Sequence, residues 1–164
     1  MMKRMAALLA ALLLLCGCGA PAVQSAPPTA PAPHPTPHPR WTTAAAEELL
    51  ASDAFAGSEM APLDMEIAAL LLGLEEDSIT EGVYWMAANT SASADELLIL
   101  VLTDEGAAEA ALSACEARRD GQIKVCRDYC PAAVPRLEDA VISRRGNTLL
   151  YAVGDPDVLA GLTR

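Results

Sequence analysis

Eight prolines fall within the 22 residues from Gly19 to Arg40, a stretch that ends PAPHPTPHPR. Each proline removes a backbone donor and biases the residue before it away from helical dihedrals, so this stretch can enter neither a helix nor the interior of a sheet. It predicts an extended, polyproline-like spacer, which at about 3.1 Å per residue reaches roughly 70 Å. The spacer divides the chain into expected segments 1–17, 18–40 and 41–164, the last the size of one ordinary domain. His34 and His38 lie within the spacer, roughly 12 Å apart along a polyproline helix. That is too far for one ion with ligand bonds of about 2 Å, so they are read as spacer residues and not as a metal site.

Ahead of the spacer, Lys3 and Arg4 form a basic start, followed by an apolar run of eleven residues from Met5 to Leu15. A membrane span needs about 20 apolar residues, so the run suits the hydrophobic part of an export signal instead. Leu15-Cys16-Gly17-Cys18 then resembles the bacterial lipobox, in which a leucine, a variable residue and a small residue precede the lipid-modified cysteine. Register chooses between the two cysteines. Lipid on Cys16 would place Leu15 where a small residue belongs, whereas lipid on Cys18 places Gly17 there. Cleavage between Gly17 and Cys18 and a diacylglyceryl group on Cys18 are therefore expected. Two acyl chains suffice for stable anchoring, and the expected location is the outer face of the cytoplasmic membrane of a bacterium.

The formal charge of −11 argues against nucleic acid or anionic lipid as the main partner, because both require a basic surface. Its distribution is uneven. Trp41 to Ala117 holds sixteen acidic and no basic residues, and Arg118 to Arg164 holds eight basic and six acidic ones, so the two parts stand at −16 and +2. A solvated acidic half explains this more simply than a face for a cationic partner or for weak calcium binding, and no Asp-x-Asp-x-Asp-Gly calcium loop occurs.

Local patterning predicts the elements of the domain. Thr42 to Ser52 reads as a helix capped by Thr, and Pro62 and Asp64 open a second one that ends near Gly73. Gly82–Ala88 and Glu96–Thr103 read as strands; the second is apolar without alternation, as expected of a central strand covered by helix. A long helix follows from Asp104 to about Arg127, with acids at its positive end and Lys124 and Arg127 at its negative end, before Pro131 and Pro135 stop it. Ala140–Arg144 and Thr148–Val153 form a hairpin around Gly146-Asn147, and Asp155-Pro156 begins a short last helix. The expected class is α+β, in the order ααββαββα: an antiparallel four-stranded sheet with the long helix packed on one face, in two layers.

Three stretches carry a further resemblance: LLGLEEDSITEGVYWMA, ADELLILVLTDEGAAEAAL, and the run from Arg119 through DYCPAAVPRLEDAVISRRGNTLLYAV. From about Met65 to Arg164 the chain resembles the domain-of-unknown-function family numbered 4358, bacterial lipoproteins mostly of low-GC Gram-positive lineages. Thr148 departs from the pattern, since relatives often carry an aromatic residue just after the turn. The resemblance implies a lipoprotein signal and an α+β domain, and it implies no known activity.

Cys115, Cys126 and Cys130 remain in the domain. Cys115 and Cys126 share a helix face but lie roughly 16 Å apart along its axis, beyond the reach of a disulfide. Cys126 and Cys130 can meet if the helix end unwinds before Pro131, so buried or free thiols, a Cys126–Cys130 disulfide, and a redox or metal role all stay open. The domain contains no histidine, so Ser-His-Asp, Cys-His and zinc-hydrolase constellations are unsupported, and no catalytic residue, metal or cofactor other than the lipid is expected. Carboxylate pairs such as Asp64 with Glu66 or Asp104 with Glu105 read as surface charge or helix caps. Tyr129, beside Cys130-Pro131, reads as a packing or turn residue whose hydroxyl finds a backbone partner. The expectation is a non-catalytic binding or assembly module, held to the cytoplasmic membrane by its lipid and meeting an envelope protein. A thiol-based redox protein and a solute-capture lipoprotein are the alternatives.

Overall fold

The computed structural model describes residues 39–162. The expectations for the export signal 1–17, for lipidation at Cys18 after Gly17, and for His34 and His38 lie outside the described residues. Helix α1 (Ala45–Ala51) leads through a 3-10 turn to strand β1 (Met60–Leu63) and helix α2 (Met65–Leu72). Strands β2 (Ile79–Ala87) and β3 (Glu96–Leu102) precede the long helix α3 (Glu105–Tyr129). A short helix α4 (Val134–Glu138), strands β4 (Val141–Arg145) and β5 (Thr148–Val153) and a final helical turn α5 (Pro156–Leu159) complete the order. The strands make one antiparallel sheet, β1-β2-β3-β5-β4.

The sheet has five strands where four were expected, and the order ααββαββα is corrected accordingly. The additional strand β1 is four residues long and carries Pro62 opposite Trp85. Proline reads locally as the opening of a helix, but it is tolerated here because β1 is an edge strand and has only one neighbour to pair with. The helix that follows keeps its expected end, with Gly73 in the left-handed region at φ +64°. Asp104 caps α3 by accepting the Ala107 N–H at 2.8 Å, and Glu105 and Arg127 occupy the ends that the helix dipole favours.

The second correction concerns layers. Leu98, Leu100 and Leu102 of β3 and Leu149, Tyr151 and Val153 of β5 face a core closed by α2, α3 and α4. Leu97, Ile99, Leu150 and Ala152 face a second core, closed by Trp41, Ala46, Leu49, Phe55 and Leu159. Central strands covered on both faces have no polar side to display, which is why their sequences do not alternate. Trp41 fastens this second cover: its backbone N–H donates to Thr148 Oγ1 and its indole N–H to the Ser143 carbonyl, both at 2.9 Å, while the Arg145 guanidinium lies 3.7 Å from its ring centre. Thr148 thereby acquires a role, because its hydroxyl oxygen accepts the Trp41 N–H where a hydrocarbon side chain could not. Gly154 is required for close approach. A Cβ there would stand 2.6 Å from the Ala54 carbonyl oxygen.

Candidate functional site

The inward face of α3 follows a helical stripe through Ala108, Ala111, Cys115, Arg118, Gln122 and Cys126. Its first half is small and buried and lets the helix settle onto the sheet. Its second half turns polar. Arg118 Nε donates to Glu96 Oε1 at 2.7 Å, and Gln122 Nε2 donates to Glu96 Oε2 at 3.1 Å. The Tyr84 hydroxyl makes a short hydrogen bond to the same Glu96 Oε1, and the Tyr151 hydroxyl donates to Gln122 Oε1 at 3.0 Å. Glu96 is fully buried, and these donors satisfy its carboxylate. Burial, with the nearby Glu96 charge, pushes both phenols well above their ordinary range, so they serve as donors. The same causes push the Cys115 thiol up to about 12, which leaves it protonated and inert at neutral pH.

Asp95, the neighbouring residue, is also buried. Its carboxylate receives Arg136 Nη1 at 2.8 Å on each oxygen and the Ser58 hydroxyl at 2.6 Å. Ser93 joins the group through the Asp95 N–H. This cluster ties the segment before β1, the β2–β3 turn and α4 together. Charge asymmetry in the sequence thus resolves in part internally: Arg118, Arg136 and Arg144 from the basic part pair with Glu96, Asp95 and Glu109 from the acidic part.

Between the β2–β3 turn and the C-terminal half of α3 lies a groove of about 850 Å³, with Met86, Asp95, Arg118 and Gln122 at its base and Leu71 of α2 on its rim. Val125 and Tyr129 of α3 also line it, 58% and 83% exposed. Tyr129 is therefore not the packing residue expected from the sequence. It stands in the last turn of α3, seven residues after Gln122 and so on the same side of the helix, where it lines the groove without being covered. Leu70 and Ile67 extend the exposed apolar surface along α2. Cys126 and Cys130 line the same groove. They are free thiols with sulfurs 2.6 Å apart; α3 is helical to Tyr129 and the chain leaves helical geometry at Cys130, just before Pro131, where the two cysteines meet. Cys115 is fully buried in the same core, eleven residues before Cys126 on α3. Asp104 is a helix cap, as expected. Asp64 occupies the cap position of α2 without a side-chain bond. Among the described residues, no three of His, Cys, Asp and Glu gather as a metal-binding group.

Sequence reasoning missed Glu96, Asp95, Arg118, Gln122 and Arg136. A signal was present: Arg118 and Gln122 continue the Ala108, Ala111, Cys115 stripe at spacings of three and four, the inward face of a helix. No curated protein and no solved structure matches the chain. Residues 54–154, from the 3-10 turn after α1 to the residue after β5, match the family described as Domain of unknown function (DUF4358), and the chain belongs to that family.

Proposed function

We propose that this protein is a lipid-anchored binding module of a bacterial cell envelope. Cys18 carries the anchor in the outer leaflet of the cytoplasmic membrane, and the groove beside α3 receives an apolar segment of an envelope protein. The groove carries the binding reading: its exposed Leu71, Val125 and Tyr129 surround a polar base already fixed by internal hydrogen bonds. Apolar side chains held around oriented polar groups are the usual composition of a recognition site. The lipobox register, with Gly17 before Cys18, supports the anchor.

The test combines two changes in cells. A photo-crosslinking residue in place of Val125 should give a discrete protein adduct that the same residue in place of Glu47, on α1, does not. Cys18→Ala should move the protein out of the membrane fraction. Identical adduct patterns from both positions overturn the groove reading, and membrane retention of Cys18→Ala overturns the anchor.

A further inference from the structure

We propose that Cys126 and Cys130 form a reversible disulfide at the edge of the groove. In a regular helix, residues four apart have Cβ atoms about 5–6 Å from one another, whereas a disulfide requires about 3.5–4.5 Å. Here the backbone N–H of Cys130 still bonds to the Cys126 carbonyl at 2.9 Å, so the Cα spacing stays near the helical value of about 6 Å, within disulfide range. Cys130 itself leaves the helix, with φ −147° and ψ 62°. That rotation redirects its Cβ from the parallel helical orientation and brings the two sulfurs to 2.6 Å. Pro131 follows at once and turns the chain into a 3-10 segment, so the bend at Cys130 is built into the sequence.

The two thiols differ in access. Cys130 is half-buried at the groove, and Cys126 is buried beneath it. A small-molecule disulfide such as oxidised glutathione, RSSR, is attacked first by the Cys130 thiolate, which forms a Cys130–SR mixed disulfide and releases RS⁻. The Cys126 thiol loses its proton and attacks the Cys130 sulfur, forming the Cys126–Cys130 bond and releasing the second RS⁻. Two protein thiols are oxidised and one external disulfide is reduced to two thiols. Cys126 is the resolving thiol, because it lies buried with its sulfur 2.6 Å from that of Cys130 while Cys130 meets the external disulfide first. The bond closes a ring at the corner that carries Tyr129, so redox state fixes or frees one edge of the groove.

Trypsin supplies the assay, because Lys124, Arg127 and Arg136 place the two cysteines on separate peptides. The full chain, equilibrated in glutathione buffers of increasing oxidation and alkylated, should yield peptide 125–127 joined to peptide 128–136. Cys115 should alkylate only after denaturation. Cys126→Ala should trap several-fold more glutathione on Cys130 than Cys130→Ala traps on Cys126. Recovery of the two peptides unlinked at every glutathione ratio overturns the disulfide. Equal trapping in the two variants overturns the assigned order of attack.

Discussion

Arg118→Met removes the cation that faces Glu96 while keeping most of the length and apolar stem of the side chain. The pair is close, at 2.7 Å, with the Glu96 side chain 1% and the Arg118 side chain 12% exposed. Removing one partner of a buried ion pair costs about 3–5 kcal/mol, because the surviving charge stays out of water without compensation. Tyr84 and Gln122 still donate to the carboxylate, which places the expected loss at the lower end, about 3 kcal/mol. In a domain of this size that lowers Tm by about 12 °C. Urea unfolding followed by far-UV circular dichroism measures it. The decisive comparison is Glu96→Gln with Arg118→Met, which removes both charges and keeps a hydrogen-bonding amide beside Tyr84. The double variant should recover about 2 kcal/mol relative to Arg118→Met alone, because it no longer leaves a buried charge without a partner. If Arg118→Met costs under about 1 kcal/mol, or if the double variant is no more stable than the single one, Glu96 is not held as a buried charge and the base of the groove is not fixed by this pair.

Asp104→Ala should cost about 1 kcal/mol in urea unfolding, the usual loss for an N-cap whose side chain accepts a backbone N–H. Gly154→Ala should cost about 1–3 kcal/mol, because its Cβ would meet a backbone oxygen that cannot swing aside; an unchanged unfolding midpoint would contradict the close approach of this residue to Ala54. Cys115 predicts a pH effect. Its thiol is pushed up to about 12 in the fold, against about 8.5 in an open chain, so the unfolded state loses the proton first. The stabilisation is complete below the unfolded value and is lost as pH rises toward the folded one. Between pH 7.5 and 10 the unaltered protein should therefore lose about 1–2 kcal/mol more than Cys115→Ala, measured as the difference between their urea midpoints at the two pH values.

Much of the architecture is legible because its signals are local. The Asp104 cap, the Gly73 stop, the Gly146-Asn147 turn and the apolar run at Glu96–Leu102 each declare themselves within a few residues. Strand β1 does not, since four residues with a proline acquire strand character only from pairing with β2. The three-layer arrangement also hides, because a run such as LLILVL states that a strand is covered and not by how many layers. Reading Trp41 and Phe55 as the cover needs the knowledge that both reach the same face, which is a long-range fact. The polar cluster was half legible. Helical periodicity places Arg118 and Gln122 on the inward stripe, but their partners Glu96, Tyr84 and Tyr151 come from three different strands, and sheet register alone brings those together. Tyr129 illustrates the opposite error. Its sequence neighbours mark a turn and helical spacing aligns it with Gln122, yet its exposure depends on how much of the last turn of α3 the rest of the fold covers.

The helix α3 serves two purposes, and its sequence changes where the purposes change. From Ala108 to Cys115 the fully buried residues are small and apolar, so this half only seals the core. From Arg118 the inward stripe takes up the long polar Arg118 and Gln122 before Cys126, and beside it Gly121 lines the groove, where a Cβ would meet no atom within 4 Å. Open space at Gly121 and fixed polar groups at Arg118 and Gln122 are together what makes a groove in place of a packed seam. The groove therefore depends on the ion pair that stabilises the fold: a partner lying over Val125 and Tyr129 excludes water from Arg118, which strengthens its attraction to Glu96. Binding at this site and resistance to unfolding should consequently rise together. The second cover of the sheet stands apart from this coupling. Trp41 and α1, which precede the family match at 54–154, build it together with Phe55 inside the match and Leu159 after it, and it lies across the sheet from the groove, so changes there alter stability without touching the groove.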